Sequence, residues 1–133
     1  MIVTSHTSTS DISAKTRNVV FVLLGMAVFL MKREYAGPLQ EIVHAYAGNL
    51  SISFALYFVL MNLQLPLTIK KLLAASLALA AVELFEACNG FGFMVNTYDP
   101  IDFVVNAIGI SFALGLDILL GPNRTKDRKT ESL

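Results

Sequence analysis

The chain has 133 residues, of which 55% are hydrophobic and only 15% are charged. Its mean hydropathy is +0.63. A short soluble chain exposes much of its surface and needs more charged side chains than this to cover it. Ten basic and ten acidic residues balance, so no net basic field is available to bind nucleic acid. One cysteine excludes a disulfide scaffold. The composition predicts a small membrane protein.

Two polar tails bracket the apolar part of the chain. Residues 1–16 are rich in Ser and Thr and have no apolar period, which predicts a disordered N-terminal tail. Residues 122–133 carry four basic side chains and are predicted to be a basic cytoplasmic tail. Between them, residues 17–121 are predicted to form one transmembrane domain.

Four apolar segments fill this domain: 19–31, 45–65, 72–88 and 101–120. The last three have about the length needed to cross roughly 30 Å of hydrocarbon at about 1.5 Å per residue. The first is short enough for a signal peptide. However, Lys32 and Arg33 follow it directly, where a cleavage site would need small residues, so an uncleaved helix is favoured. The sequence therefore predicts an all-α, integral membrane four-helix bundle with short loops.

The basic residues are distributed unevenly along this topology. With four spans, both tails and the loop between the second and third spans share one side of the membrane. That side holds eight of the ten Lys and Arg residues. The positive-inside rule then predicts that both termini are cytoplasmic, in a multi-pass protein of the inner (plasma) membrane.

The acidic residues concentrate on the opposite side. Glu83 and Glu86 share a helical face at the end of the third segment. Asp99 and Asp102 lie at the start of the fourth segment, where Asp99 precedes a proline and is suited to cap the helix. His44 lies at the start of the second. Carboxylates near hydrocarbon are unfavourable, so we expect these groups to face the protein interior or a water-filled cavity.

The fourth segment carries a stripe of small and polar residues at helical spacing: Asp102, Asn106, Gly109, Ala113 and Asp117. Small residues let helices approach closely and polar ones bond across the interface. We therefore expect Gly109 and Ala113 to pack against a neighbouring helix, with the third and fourth helices forming a hairpin.

Asp117 is the one acid of this stripe on the predicted cytoplasmic side. It is suited either to hydrogen-bond Asn62 or Gln64 at a similar depth, or to reach a cation. The candidate cations are Lys70, Lys71 and Arg124. The pairing with a cation is favoured.

The polar positions form a spaced motif: Glu83-x-x-Glu86, a loop, then Asp102-x-x-x-Asn106-x-x-Gly109. This motif resembles the signature of the VanZ-like family of small polytopic bacterial membrane proteins. The family pattern is Glu-x-x-Gln near the end of one helix, then a loop, then Asp-x-x-x-Asn-x-x-Gly opening the next helix.

The resemblance covers roughly residues 40–120. His44, with Tyr46 beyond it, is similar to the histidine that opens the family's preceding helix. Two positions depart from the family pattern. Glu86 stands where the family usually has Gln, and the loop before Asp102 lacks the Arg that would be its charge partner.

The resemblance implies a cell-envelope setting, since the family is named after a member linked to resistance to the glycopeptide teicoplanin. The favoured hypothesis is a non-enzymatic role in envelope homeostasis. The acidic group would engage a lipid-linked or glycopeptide ligand, a partner membrane protein or a second copy of the chain.

Two other functions remain open from the residues alone. Glu83, Glu86 and Asp102 would serve an ion- or proton-coupled transporter subunit, or act as general acid and base in a membrane enzyme. A purely structural interpretation, in which they pin two helices together, also remains. The sequence contains no nucleophile set, metal-binding motif or cofactor motif, so no catalytic residue, metal or cofactor is predicted.

Overall fold

The computed structural model describes residues 9–66, 69–92 and 99–121, with side chains from residue 12 onward. This part of the chain is all-helical and contains no strand, which confirms the predicted all-α class. The four helices are α1 (Thr9–Met31), α2 (Gln40–Met61), α3 (Lys70–Ala87) and α4 (Pro100–Leu120). Short 3-10 turns follow α1 and α3, and the second of them, Asn89–Gly92, includes left-handed backbone.

Three helical stretches are long and apolar enough to cross a membrane: Ile12–Glu34, α2 and α4. Their surfaces expose large apolar side chains such as Leu23, Val104 and Leu119. In water such surfaces would associate, whereas lipid chains solvate them. These features support the prediction of a membrane protein.

Helix α1 is longer than the sequence predicted. It begins at Thr9, inside the segment 1–16 that was expected to be disordered, so that expectation is wrong for residues 9–16. The physical reason lies in Arg17 and Asn18, which hydrogen-bond to the neighbouring helices and hold the polar turns of α1 in place. Residues 1–8 and the basic tail 122–133 lie outside the described residues.

Helix α4 begins as the sequence predicts. The Asp99 carboxylate accepts a hydrogen bond of 2.9 Å from the backbone N–H of Ile101, and Pro100 occupies the first helical position. The N-cap carboxylate accepts from one of the unpaired donors of the first turn, and the proline, which has no N–H, removes another. Because the cap sets the first residue of α4, it also sets the position of Asp102 in the first turn.

Helix α2 is central and packs against the three other helices. It runs antiparallel to α1, and the two helices approach closely at Gly25. A Cβ atom there would lie 2.8 Å from both the Ser51 carbonyl oxygen and the Ala55 Cβ. Nearer the start of α1, Phe21 stacks on Phe58 with ring centroids 4.7 Å apart. Together these contacts hold α1 along one side of α2.

Helices α2 and α4 are parallel neighbours, because the chain returns through α3 between them. A Cβ on Gly109 would lie 2.6 Å from the Leu50 carbonyl oxygen. Farther along both helices, the Tyr57 hydroxyl donates to Asp117. Gly109 and Ala113, the expected packing positions of α4, are both buried. The apolar core of α2, α3 and α4 lies beside this contact: Tyr57, Phe58, Met61, Ala74, Ala75, Ala78, Val82, Ile110 and Ala113.

The helix directions give the molecule two chemically different ends. Helices α1 and α3 begin, and α2 and α4 finish, at the end that contains Arg17 and Lys71, called here the basic end. The opposite end contains Glu86 and Asp102 and is called the acidic end.

Candidate functional site

Two buried polar side chains extend from α4 at the acidic end. Asp102 is 7% exposed, and Asn106, one turn deeper on the same face, is 2% exposed. The Asn49 side chain of α2 lies within hydrogen-bonding reach of Asp102. Within the described residues, the Asn106 Nδ2 atom has no hydrogen-bond partner. A buried donor without a partner costs about 1–3 kcal/mol, so Asn106 is not explained by stability alone.

Helix α3 contributes a second pair of carboxyl groups at the same end. Glu86 is buried, and Glu83 is close enough to it to interact electrostatically. One buried Glu83 oxygen, Oε2, also has no hydrogen-bond partner among the described residues. The Lys71–Asp117 contact sets the register of α3 against α4. Fifteen residues separate Lys71 from Glu86 and also Asp117 from Asp102, so Glu86 and Asp102 both lie at the acidic end.

Asp99 connects α4 to α2 at the rim of this group. One of its carboxylate oxygens caps α4, and the other accepts a hydrogen bond of 3.1 Å from the Tyr46 hydroxyl. Asp99 also interacts electrostatically with Asp102. The structure thus joins two of the predicted site residues, Asp99 and Asp102, and adds Tyr46, which had only a loose family match.

His44, which the sequence grouped with these carboxyl groups, has its observed contact at a different place. Its Nε2 atom lies 3.0 Å from the Tyr35 carbonyl oxygen, in the connection between α1 and α2. His44 and Tyr46 are two residues apart, about 200° around a helix, so they occupy opposite faces of α2. Among the described residues, no group of three or more His, Cys, Asp or Glu side chains is arranged to hold a metal ion.

Lys32 is a component of the acidic end that was not among the predicted site residues. Its side chain crosses α2 at Gly48, where a Cβ atom would collide with the ammonium group. The ammonium also lies 5.3 Å from the centre of the Phe29 ring and interacts electrostatically with Asp102. The loop before Asp102 lacks the Arg that would be its charge partner, and this absence was the sequence signal that another cation pairs with Asp102. Gly48 was the second signal, because a residue without a side chain leaves room for the Lys32 side chain.

The basic end contains a different and fully connected network around Asp117, which is 1% exposed. Its carboxylate accepts hydrogen bonds from Arg17 at 2.5 Å and from the Tyr57 hydroxyl at 2.8 Å. Lys71 lies 3.6 Å from the same carboxylate and donates to the Asp117 carbonyl oxygen. One residue from each of the four helices therefore meets at this point.

Of the cations predicted for Asp117, Lys71 is present, whereas Arg17 was not predicted because α1 was expected to begin after it. Asn62, one of the alternative partners, instead accepts a hydrogen bond from Asn18, which also bonds Arg17. This network surrounds one buried carboxylate with two partly exposed cations and a buried hydroxyl, and it has the features of a structural clasp. The acidic end, with unpaired buried atoms, is the candidate functional site.

No protein-family model, curated protein or solved structure matches this chain. The function is therefore inferred from the geometry of the acidic end and from the motif residues that lie there.

Proposed function

We propose that this chain is a VanZ-like integral membrane protein of the cell envelope, which binds a polar ligand through its acidic end. The observation that supports the proposal is the Asn106 amide, buried one turn below Asp102 with an unpaired donor. The fold leaves this donor unsatisfied in an interior where most polar groups are paired, and such groups concentrate at functional sites.

The available atoms define the chemistry of the ligand. The Asn106 amide requires an acceptor, and the free Glu83 oxygen requires a donor. A headgroup or glycopeptide that carries hydroxyl, amine and carbonyl groups supplies both. Binding of this kind needs hydrogen bonds and charge but no bond cleavage, so the proposed role is non-enzymatic.

The proposal includes four membrane crossings with both termini in the cytoplasm. Helix α3 has 18 residues, about 27 Å at 1.5 Å per residue, which is close to the hydrocarbon thickness. It carries Lys70 and Lys71 at one end and Glu83 and Glu86 at the other, and it packs against α2 and α4 between them. Crossing by α3 puts the basic end in the cytoplasm under the positive-inside rule.

Cys88 provides a direct test of this orientation, because it is the one cysteine in the chain and is exposed at the acidic end. A thiol reagent that cannot cross membranes is expected to modify Cys88 in intact cells. The matched control is Cys88→Ser with Ser13→Cys, which moves the thiol to the exposed start of α1. This variant should react only after the cells are opened. The reverse pattern would contradict the proposed orientation.

The function is tested by growth of a deletion strain under envelope stress, including a glycopeptide, with membrane abundance measured alongside. Asp102→Asn is expected to lose complementation at normal abundance, because it removes the negative charge that binds the amine of the ligand. Glu83→Gln is expected to retain it, because the amide still offers an oxygen acceptor. Complementation that follows abundance in both variants would show that the group only pins helices together.

A second candidate function is an ion- or proton-coupled transporter subunit, favoured by the two buried carboxyls Glu86 and Asp102 at the acidic end. A proton carrier needs a titratable group at each step, so Glu83→Gln and Glu86→Gln should then be as damaging as Asp102→Asn. Retained growth of Glu83→Gln separates ligand binding from proton transport.

A further inference from the structure

We propose that the ligand of the acidic end is an aminophospholipid, whose primary ammonium binds at Asp102 and Asp99 while its phosphate binds Lys32. This inference deepens the proposed function and rests on it.

Location supports a lipid. Lys32 follows directly after α1, Asp99 directly precedes α4, and Tyr46 lies in the second turn of α2. Membrane-crossing helices end at the depth of the lipid headgroups, so these three residues lie where headgroups are concentrated. A ligand that arrives within the bilayer therefore reaches this site without leaving the membrane.

The separation of charge supports a zwitterion. The Lys32 ammonium interacts electrostatically with Asp102 but, among the described residues, forms no ion pair with it within 4.0 Å. Gly48 provides the space in which the Lys32 side chain lies. The positive Lys32 and the negative Asp102 are near one another without contact. They therefore complement a zwitterionic ligand, whose negative group binds Lys32 and whose positive group binds Asp102.

The order of groups along α4 matches the order within a phospholipid. Asp99 is at the rim, Asp102 is deeper and Asn106 is deepest, one helical turn below Asp102. An ethanolamine headgroup places its ammonium outermost, its phosphate next and its ester oxygens nearest the acyl chains. The unpaired Asn106 Nδ2 donor would then meet an ester oxygen acceptor. In this assignment the lipid ester oxygen accepts the hydrogen bond that the buried Asn106 amide otherwise lacks.

The test measures lipid retained by the purified full-length chain in detergent, by native mass spectrometry, with phosphatidylethanolamine, phosphatidylcholine and phosphatidylglycerol in equal amounts. We expect retention of phosphatidylethanolamine about tenfold above the other two, because only its ammonium donates hydrogen bonds to carboxylates. Asp102→Asn and Lys32→Gln should each reduce this retention about tenfold. Arg33→Gln, an exposed neighbour of equal charge, should leave it unchanged.

Gly48→Ala is a second variant that keeps every charge and displaces Lys32 sterically. It should also lower retention while the helical content stays unchanged. Equal retention of phosphatidylethanolamine and phosphatidylcholine by the wild type, or unchanged retention in Asp102→Asn, overturns the proposal. Soluble phosphoethanolamine should fail to displace the lipid at equal concentration. Displacement would show that the ligand is the free headgroup compound.

The same variants separate this inference from the proposed function. If Asp102→Asn loses growth at normal abundance but still retains phosphatidylethanolamine, the acidic-end function stands and the lipid assignment falls. If the variant loses the lipid but grows normally, the lipid site stands and the envelope function falls.

Discussion

Replacement of Asp117 with alanine is expected to lower the free energy of unfolding by about 3 kcal/mol, because it leaves two partly exposed cations and a buried hydroxyl without their acceptor. Arg17 and Lys71 are 22% and 42% exposed at their side chains, so both can turn toward water. This places the expected loss at the low end of the range for a broken buried pair. Tyr57 is fully buried, so its hydroxyl cannot turn toward water when its acceptor is removed.

Thermal or denaturant unfolding in detergent measures this effect. Tyr57→Phe, which removes one hydroxyl donor, should cost about 1 kcal/mol. The double variant Arg17→Ala with Asp117→Ala should be less destabilised than the sum of the single variants, since the two residues share one interaction. Glu41→Ala, at an exposed acid of α2, is the matched control and should change stability by less than about 0.5 kcal/mol. Wild-type stability of Asp117→Ala would show that the network is not a clasp.

The second large effect is expected from Gly109→Ala. The added methyl would lie 2.6 Å from the Leu50 carbonyl oxygen and would also overlap the Ser53 hydroxyl. Because Leu50 contributes backbone rather than a movable side chain, α2 and α4 must separate. We expect a loss of about 1–3 kcal/mol, as for overpacking of an interior.

Gly115→Ala is a matched control on the same helix, because a Cβ there meets no atom within 4 Å. It should be neutral or stabilise the protein by up to about 1 kcal/mol through the higher helix propensity of alanine. Unfolding in detergent and membrane abundance should both rank Gly115→Ala above Gly109→Ala. The same stability for both variants would mean that α2 and α4 are not closely packed at Gly109.

Periodicity and spacing predicted the parts of the fold that depend on local sequence. The helical class, the cap at Asp99, and the small residues at Gly109 and Ala113 all follow from neighbours within one segment. The start of α1 could not be predicted in this way. Arg17 is polar and breaks the apolar pattern, and its partner Asp117 is one hundred residues away in the sequence.

The residues of the candidate site show the same division between those that local sequence predicts and those that depend on contacts between helices. Glu86, Asp102 and Asn106 were found because they are polar residues inside apolar segments. Lys32 was missed because its role depends on the space over Gly48, which is visible only when α1 and α2 are packed together. His44 was included because it opens the second segment and is similar to a family histidine, whereas the structure places its Nε2 atom beside the Tyr35 carbonyl oxygen.

The central claim is that the acidic end has kept a binding function at the expense of stability, and Asn106→Leu tests it most directly. Leucine has a similar branched shape but no polar atoms, so it removes an unpaired buried donor. The measurement is complementation under envelope stress together with membrane abundance and thermal stability. We predict stability equal to or above the wild type and a loss of complementation. Lower stability with complementation in proportion, or full complementation, would contradict the account.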